Sequence, residues 1–273
     1  MKMAVGCDLS YEVGSATTFV FNVAVADIQQ HTQLVENWTI DPPLDAQTTA
    51  AGLNNRYTRI VVPAGTLRLR YEATLDLQLM LDDPKSIDET GISQLPLEIF
   101  PFLLPSRFCP SDLLTETAER MFANVPPGHS RVTAICNWIC DNVAYQPGTS
   151  DPTTSATDTL QRRAGVCRDF AHLGVAFCRA MNIPARVVSS YAAALEPPDF
   201  HAVFEAYLDG RWWLFDPTRQ AKLDAIVRIG TGRDAAEVSF ASYFGEAQMT
   251  GMKVWAQPAD LALLEERPVA AVA

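Results

Sequence analysis

The sequence predicts an α+β protein. A β-rich, sandwich-like N-terminal domain spans residues 1–105, a mixed helix and sheet half spans 106–262, and a tail spans 263–273. Three observations predict it. Strand periodicity dominates the first eighty residues, prolines crowd residues 82–110, and helical and strand periods mix from there on.

Thr17–Val25, Leu34–Ile40, Arg56–Val62 and Leu67–Leu79 alternate in polarity or run through β-branched and aromatic residues, the pattern of half-buried strands. Asp41-Pro42-Pro43, Asn54-Asn55 and Pro63-Ala64-Gly65 punctuate them as turns, as the hairpins of a sandwich require. Pro84, Pro96, Pro101, Pro105 and Pro110 are too dense for a helix interior or a central strand, so the junction between the halves falls there.

Ser111-Asp112 can cap a helix to about Ala123. Pro126-Pro127-Gly128 stops it, and Ser130 can cap a second helix to about Asn142. Tyr145–Thr159 is rich in Pro, Gly, Ser, Thr and Asp and reads as a surface loop, with Asp158 placed to cap a short helix through Arg163. Phe170, Leu173, Phe177 and Met181 then recur at helical spacing until Asn182-Ile183-Pro184, which puts Cys167 in the first turn of a helix. Arg186–Tyr191 reads as a strand. Ala202–Leu208 and Arg211–Phe215 flank Asp209-Gly210, a two-residue hairpin signal.

Composition excludes several classes. With 21 basic and 32 acidic residues the formal charge is −11, so the chain lacks the basic face of a nucleic-acid binder. No apolar run approaches the ~18–20 residues of a membrane-spanning helix. The start MKMAVGC is too short in apolar residues for a secretory signal, so the expectation is a cytoplasmic protein whose six cysteines stay reduced.

Taken alone, a cysteine reads first as a small buried hydrophobe. Cys178 and the pair Cys136 and Cys140 fit that reading, since two thiols without further ligands do not make a zinc site. Cys167 differs because a helix N-terminus, with its unpaired N–H groups and positive dipole end, stabilises a thiolate. Gly165 lets the chain turn tightly just before it, and free N–H groups at Val166 and the first helical turn can receive an oxyanion.

A thiol nucleophile needs a base. His172, five residues after Cys167 on the same helix, is rotated ~140° and displaced ~7.5 Å from the thiol, which suits a supporting or capping role. His31 and His129 read as ordinary hydrogen-bonded or exposed histidines. His201 has a derivable partner. A turn centred on Asp209-Gly210 sets Leu208 opposite Arg211 and Val203 opposite Asp216, so His201 and Asp216 become diagonal neighbours on one face. Asp216 before Pro217-Thr218 also suits turn capping, and both roles can coexist. A carboxylate on one imidazole nitrogen fixes the tautomer and leaves the other facing the thiol. Glu205 lies on the same face as His201, where a salt bridge with Arg186 or Arg211 is the plain account.

Gly165-Val166-Cys167-Arg168-Asp169-Phe170-Ala171-His172-Leu173, then Ile183-Pro184-Ala185-Arg186, His201-Ala202 and Asp216-Pro217-Thr218 together closely resemble the bacterial transglutaminase-like superfamily. The resemblance covers about Arg107 to Thr218, and the first 105 residues resemble the β-rich domain that often precedes this core. It implies a papain-like transglutaminase core, thiol chemistry at amide bonds, a Cys167, His201 and Asp216 triad, and no cofactor or metal. It also places Tyr145 at an often aromatic position whose hydroxyl can line the oxyanion site. Many members carry His-Ala-Trp where this chain has Val203, so a wall of the substrate cleft differs. The expected activity is a peptidase or amidase acting on a peptide, protein or small amide substrate. The alternatives are an amine-transferring transglutaminase, although calcium-rich acidic loops are not evident, or an idle binding module.

Overall fold

The computed structural model describes residues 1–259 and 271–272. The N-terminal half contributes strands β1 (Lys2–Val13), β2 (Thr17–Phe21), β3 (His31–Asp41), β4 (Ala46–Ala50), β5 (Arg56–Val62), β6 (Gly65–Leu77) and β7 (Leu81–Asp82). There follow α1 (Thr115–Phe122), α2 (His129–Asn142), β8 (Ala144–Tyr145), α3 (Ala156–Arg162), β9 (Ala164–Gly165), α4 (Cys167–Ala180), β10 (Ala185–Ala192), β11 (Phe200–Leu208), β12 (Arg211–Phe215) and β13 (Ile226–Gly232). The chain then returns as β14 (Ala241–Phe244), β15 (Ala247–Pro258) and β16 (Ala271–Val272).

Two antiparallel sheets, in the orders β15-β1-β6-β3 and β14-β2-β5-β4, form the β-rich part. Leu9, Tyr11, Phe19, Phe21, Ile60, Leu69 and Tyr71 alternate inward along their strands to fill it. A third sheet, β12-β11-β10-β13, carries α4 on one face, with Phe122, Ile135, Phe170, Phe177, Phe204 and Trp213 in the core between sheet and helices. A Cβ on Gly174 would sit 2.5 Å from Phe204 Cε1, so the missing side chain is what lets α4 lie against β11. The halves share apolar surface, because Tyr191, Val227 and Ile229 belong to the same buried cluster as the sandwich, and the Tyr191 hydroxyl donates to the Val23 carbonyl at 2.7 Å.

The structure departs from the sequence reading in several places, among them the second helix, which begins at His129 after Gly128 and is not capped by Ser130. β14 and β15, inside the 106–262 span, pair with β2 and β1 and so complete the sandwich. Only Val254 and Pro258 are buried along β15, which leaves no apolar alternation to read. The short helix before Cys167 is capped by Ser155, whose hydroxyl accepts from the Asp158 N–H, while Asp158 accepts from Ser155 N–H at 2.9 Å, a reciprocal cap. The first predicted helix begins as a 3-10 turn, Ser111–Leu114, before α1. The tail 263–273 lies outside the described residues except for Ala271–Val272, which pairs with β7.

Candidate active site

Cys167 begins α4, and its neighbours in sequence build that start. Asp169 is fully buried, and its carboxylate accepts from the Val166 N–H at 2.8 Å and from the Ser150 hydroxyl at 2.9 Å. An N-terminal acidic cap of this kind ties the entering strand to the first turn. Gly165 makes room for it, since a Cβ there would lie 2.7 Å from Asp169 Cβ. The thiol at Cys167 is half-buried, whereas Cys7, Cys109, Cys136 and Cys178 are buried.

The β11–β12 hairpin brings in the second and third groups. Asp209 and Gly210 have φ of 48° and 76°, the two positive values of the turn that matches strand twist. Leu208 pairs with Arg211 and Phe204 with Phe215, the predicted register, and its continuation sets Val203 level with Asp216. His201 Nε2 lies 3.0 Å from Asp216 Oδ2. The same carboxylate accepts from Ala221 N–H through Oδ2 and from the Thr218 N–H and hydroxyl through Oδ1, at 3.0, 2.9 and 2.7 Å. It thus caps the turn and holds the imidazole at once.

Cys167 approaches the His201 ring closely enough to act on its charge. Burial disfavours a charged ring, but the hydrogen bonds and charges of Asp216 and Cys167 outweigh it and lift the His201 pKa to about 10. Burial likewise opposes the Asp216 charge, and the contacts with His201, Thr218 and Ala221 hold its pKa below the usual carboxylate value. Tyr145 joins from β8, whose parallel pairing sets Tyr145 level with Gly165. Its hydroxyl reaches the Cys167 thiol and the Cys167 N–H, and burial together with the charge of that thiol raises its pKa to about 12, so it stays a donor.

Comparison with known proteins gives the family of the chain. The model of the transglutaminase-like superfamily matches residues 115–217, and that of the bacterial transglutaminase N-terminal domain matches residues 1–98. A solved structure from Cytophaga hutchinsonii, described as a candidate cysteine protease, is 40% identical with a TM-score of 0.94, covering 100% of this chain and 96% of that one. The chain belongs to the transglutaminase-like superfamily. Among curated relatives, an uncharacterized protein of Mycobacterium leprae is 31% identical over 149 residues, 50% of this chain and 52% of that protein. One of Mycobacterium tuberculosis is 28% identical over 230 residues, 73% of this chain and 72% of that protein. The chain thus spans about half of the first relative's length.

Two residues expected at the site of this transglutaminase-like chain do other work. The N–H of Val166 is taken by Asp169, so it is closed to an oxyanion, and the group that reaches the thiol is the Tyr145 hydroxyl. Val203 is fully buried in an apolar cluster with Val188, Leu214 and Ile226, because it points off the sheet away from α4; it packs beneath the site and lines no open wall. His172 is also buried and points elsewhere, its Nε2 accepting from the Ala235 N–H at 3.1 Å. His129 packs against Phe215 with ring centres 4.7 Å apart and the planes tilted by 39°, and His31 Nδ1–H donates to the Ala26 carbonyl at 2.8 Å. Glu205 is paired with Arg186, as expected, and with Arg228 in place of Arg211.

The sequence reading missed Asp169, Ser150 and Asp199. An Asp three positions after Val166 is the signal of a helix cap. Ser150 comes from the loop before α3 and has no local signature. Asp199, exposed and two residues before His201, is close enough for its charge to act on that ring and on Tyr145. No helix among the described residues is long and apolar enough to cross a membrane.

Proposed function

We propose that this chain is a cysteine hydrolase of the peptidase or amidase type, with Cys167 as nucleophile, His201 as acid and base, and Asp216 as the group that orients the imidazole. The observation that carries this reading is the buried His201 ring, held between the Asp216 carboxylate and the Cys167 thiol.

Proton transfer from thiol to imidazole gives a thiolate at the start of α4 beside an imidazolium, a pair that both the helix N-terminus and the Asp216 charge favour. The Cys167 sulfur attacks the amide carbon, and the carbonyl oxygen takes up charge near the Cys167 N–H and the Tyr145 hydroxyl. The imidazolium donates its proton to the departing nitrogen as the C–N bond breaks, leaving a thioester. Water then attacks the thioester carbon, giving a proton to His201, and the C–S bond breaks to release the acid. The substrate is a peptide, protein or small amide, and six free cysteines, four of them buried, suit a reducing cytoplasm.

Two assays test this. Labelling with iodoacetamide at pH 6 should modify Cys167 much faster than the other five cysteines; equal rates would remove the basis for a thiol enzyme. An acyl donor offered with and without a primary amine, its product weighed, should give the free acid in both cases, and an amide-linked product would assign the chain to amine transfer instead.

A further inference from the structure

The face of the third sheet opposite α4 carries Arg186, Glu205 and Arg228 on three neighbouring strands. Residues 26–30 and Leu53–Asn54 of the sandwich half stand across from it, and a cavity of about 610 Å³ opens between them. Glu205 is 1% exposed. Its Oε2 accepts from Arg186 Nε at 2.7 Å and its Oε1 from Arg228 Nε at 2.6 Å. Both arginines therefore spend only the Nε edge on this carboxylate. Among the described residues, neither gives its terminal Nη groups to a protein acceptor, although Arg228 is only 5% exposed.

Two guanidinium groups against one carboxylate leave a net positive charge in the cavity wall, and a buried charge is costly unless paired. Among the described residues, no other group of the wall pairs with these arginines. Asp27 is exposed and its charge acts on Arg56. His31, behind Arg228, is neutral, because burial and the Arg228 charge outweigh its Ala26 contact and hold its pKa near 4. Arg186 is fixed in plane by Trp212, whose ring centre lies 4.1 Å from its guanidinium carbon, and Arg211 adds a third, exposed cation at the mouth. A preset pair of forks with free Nη donors is the chemistry that recognises an oxyanion.

We propose that this cavity binds a small anion, through a carboxylate or phosphate group that accepts from the Nη groups of Arg186 and Arg228. The described lining of this cavity includes none of Cys167, His201 and Asp216, and its proposed role does not depend on the reaction assigned to Cys167.

Calorimetric titration of the full chain at low chloride, with pyrophosphate and separately with citrate, tests the proposal and separates the two kinds of oxyanion. At least one should bind saturably at one site. Arg228→Lys keeps the charge and a contact for Glu205 but loses the fork, and should weaken binding about tenfold or more, the cost of losing charge-assisted hydrogen bonds. Arg211→Gln, an exposed change at the mouth, should weaken it several-fold. A second measurement needs no variant: the bound anion should slow phenylglyoxal modification of Arg186, read by peptide mass. Absence of saturable binding with both anions at millimolar concentration overturns the proposal. So does equal binding by the wild type and a folded Arg228→Lys variant, or an unchanged rate of Arg186 modification.

Discussion

Asp216 Oδ2 meets His201 Nε2 at 3.0 Å where the β11–β12 hairpin opens, and each side chain is 2% exposed. Water is excluded from the contact, so the carboxylate acts on the ring through a medium of low polarisability, and the tautomer that offers Nδ1 to Cys167 is enforced. Four donors converge on that carboxylate, which makes it as much a structural anchor as an electrostatic one.

Asp216→Asn should retain the turn in part but lose the charge that favours the imidazolium. We expect turnover to fall by roughly 10²–10⁴, the range seen when an orienting carboxylate is neutralised. The folded state should lose about 1–3 kcal/mol, since an amide cannot accept from all four donors. Steady-state kinetics and a thermal melt check the two effects; turnover within a few-fold of wild type would remove Asp216 from the mechanism.

The pH dependence follows from His201. Its pKa is raised from 6.5 to about 10 in the folded protein, so the stability it contributes is fully present below pH 6.5 and is lost as pH climbs through about 10. Imidazolium is lost over the same range, so turnover should decline on the alkaline side. Melts from pH 6 to 11 should fall toward the upper end, and less so in His201→Gln; identical profiles in the two proteins would contradict the assignment.

Glu205 sets the acid side. Burial opposes its charge, but Arg186 and Arg228 outweigh that and depress its pKa from 4.5 to about 2. The stability it supplies is present above pH 4.5 and lost as pH falls toward 2. Glu205→Ala strands two arginines at a buried site and should cost about 3–5 kcal/mol, read as a drop in the denaturation midpoint. A loss under 1 kcal/mol would mean the ion pairs contribute little.

Gly174→Val tests how α4 is seated. The added atoms meet Phe204, already 2.5 Å from the position of a Cβ, and overpacking of this kind costs typically ~1–3 kcal/mol. Because α4 carries Cys167, turnover should fall as well. Unchanged melting and turnover would show that α4 can shift without effect.

Much of the geometry of this candidate site is legible in the sequence because it is built from local signals. Asp209-Gly210 fixes one hairpin register, and that register alone brings His201 and Asp216 together. The helical period from Phe170 to Met181 likewise puts Cys167 at a helix start. What escaped was set by chain segments far apart. Val166 was read as a free donor because the reach of Asp169 back to its N–H depends on a side-chain position. Val203 was read as a cleft wall because alternation gives a face but not what covers it. Arg228 as the second partner of Glu205 depends on β13 lying beside β10, and β15 as a neighbour of β1 depends on a return across the whole chain.

In the proposed reaction an acyl group passes through the Cys167 sulfur. Incubating the protein with an activated amide or ester donor, quenching in acid and weighing the tryptic peptides tests it most directly. The peptide containing Cys167 should gain the mass of the acyl group, transiently in the wild type and to a greater extent when His201→Ala slows hydrolysis, while Cys167→Ala gains none and does not turn over. An acyl group on another residue, or turnover that survives in Cys167→Ala, would contradict the account.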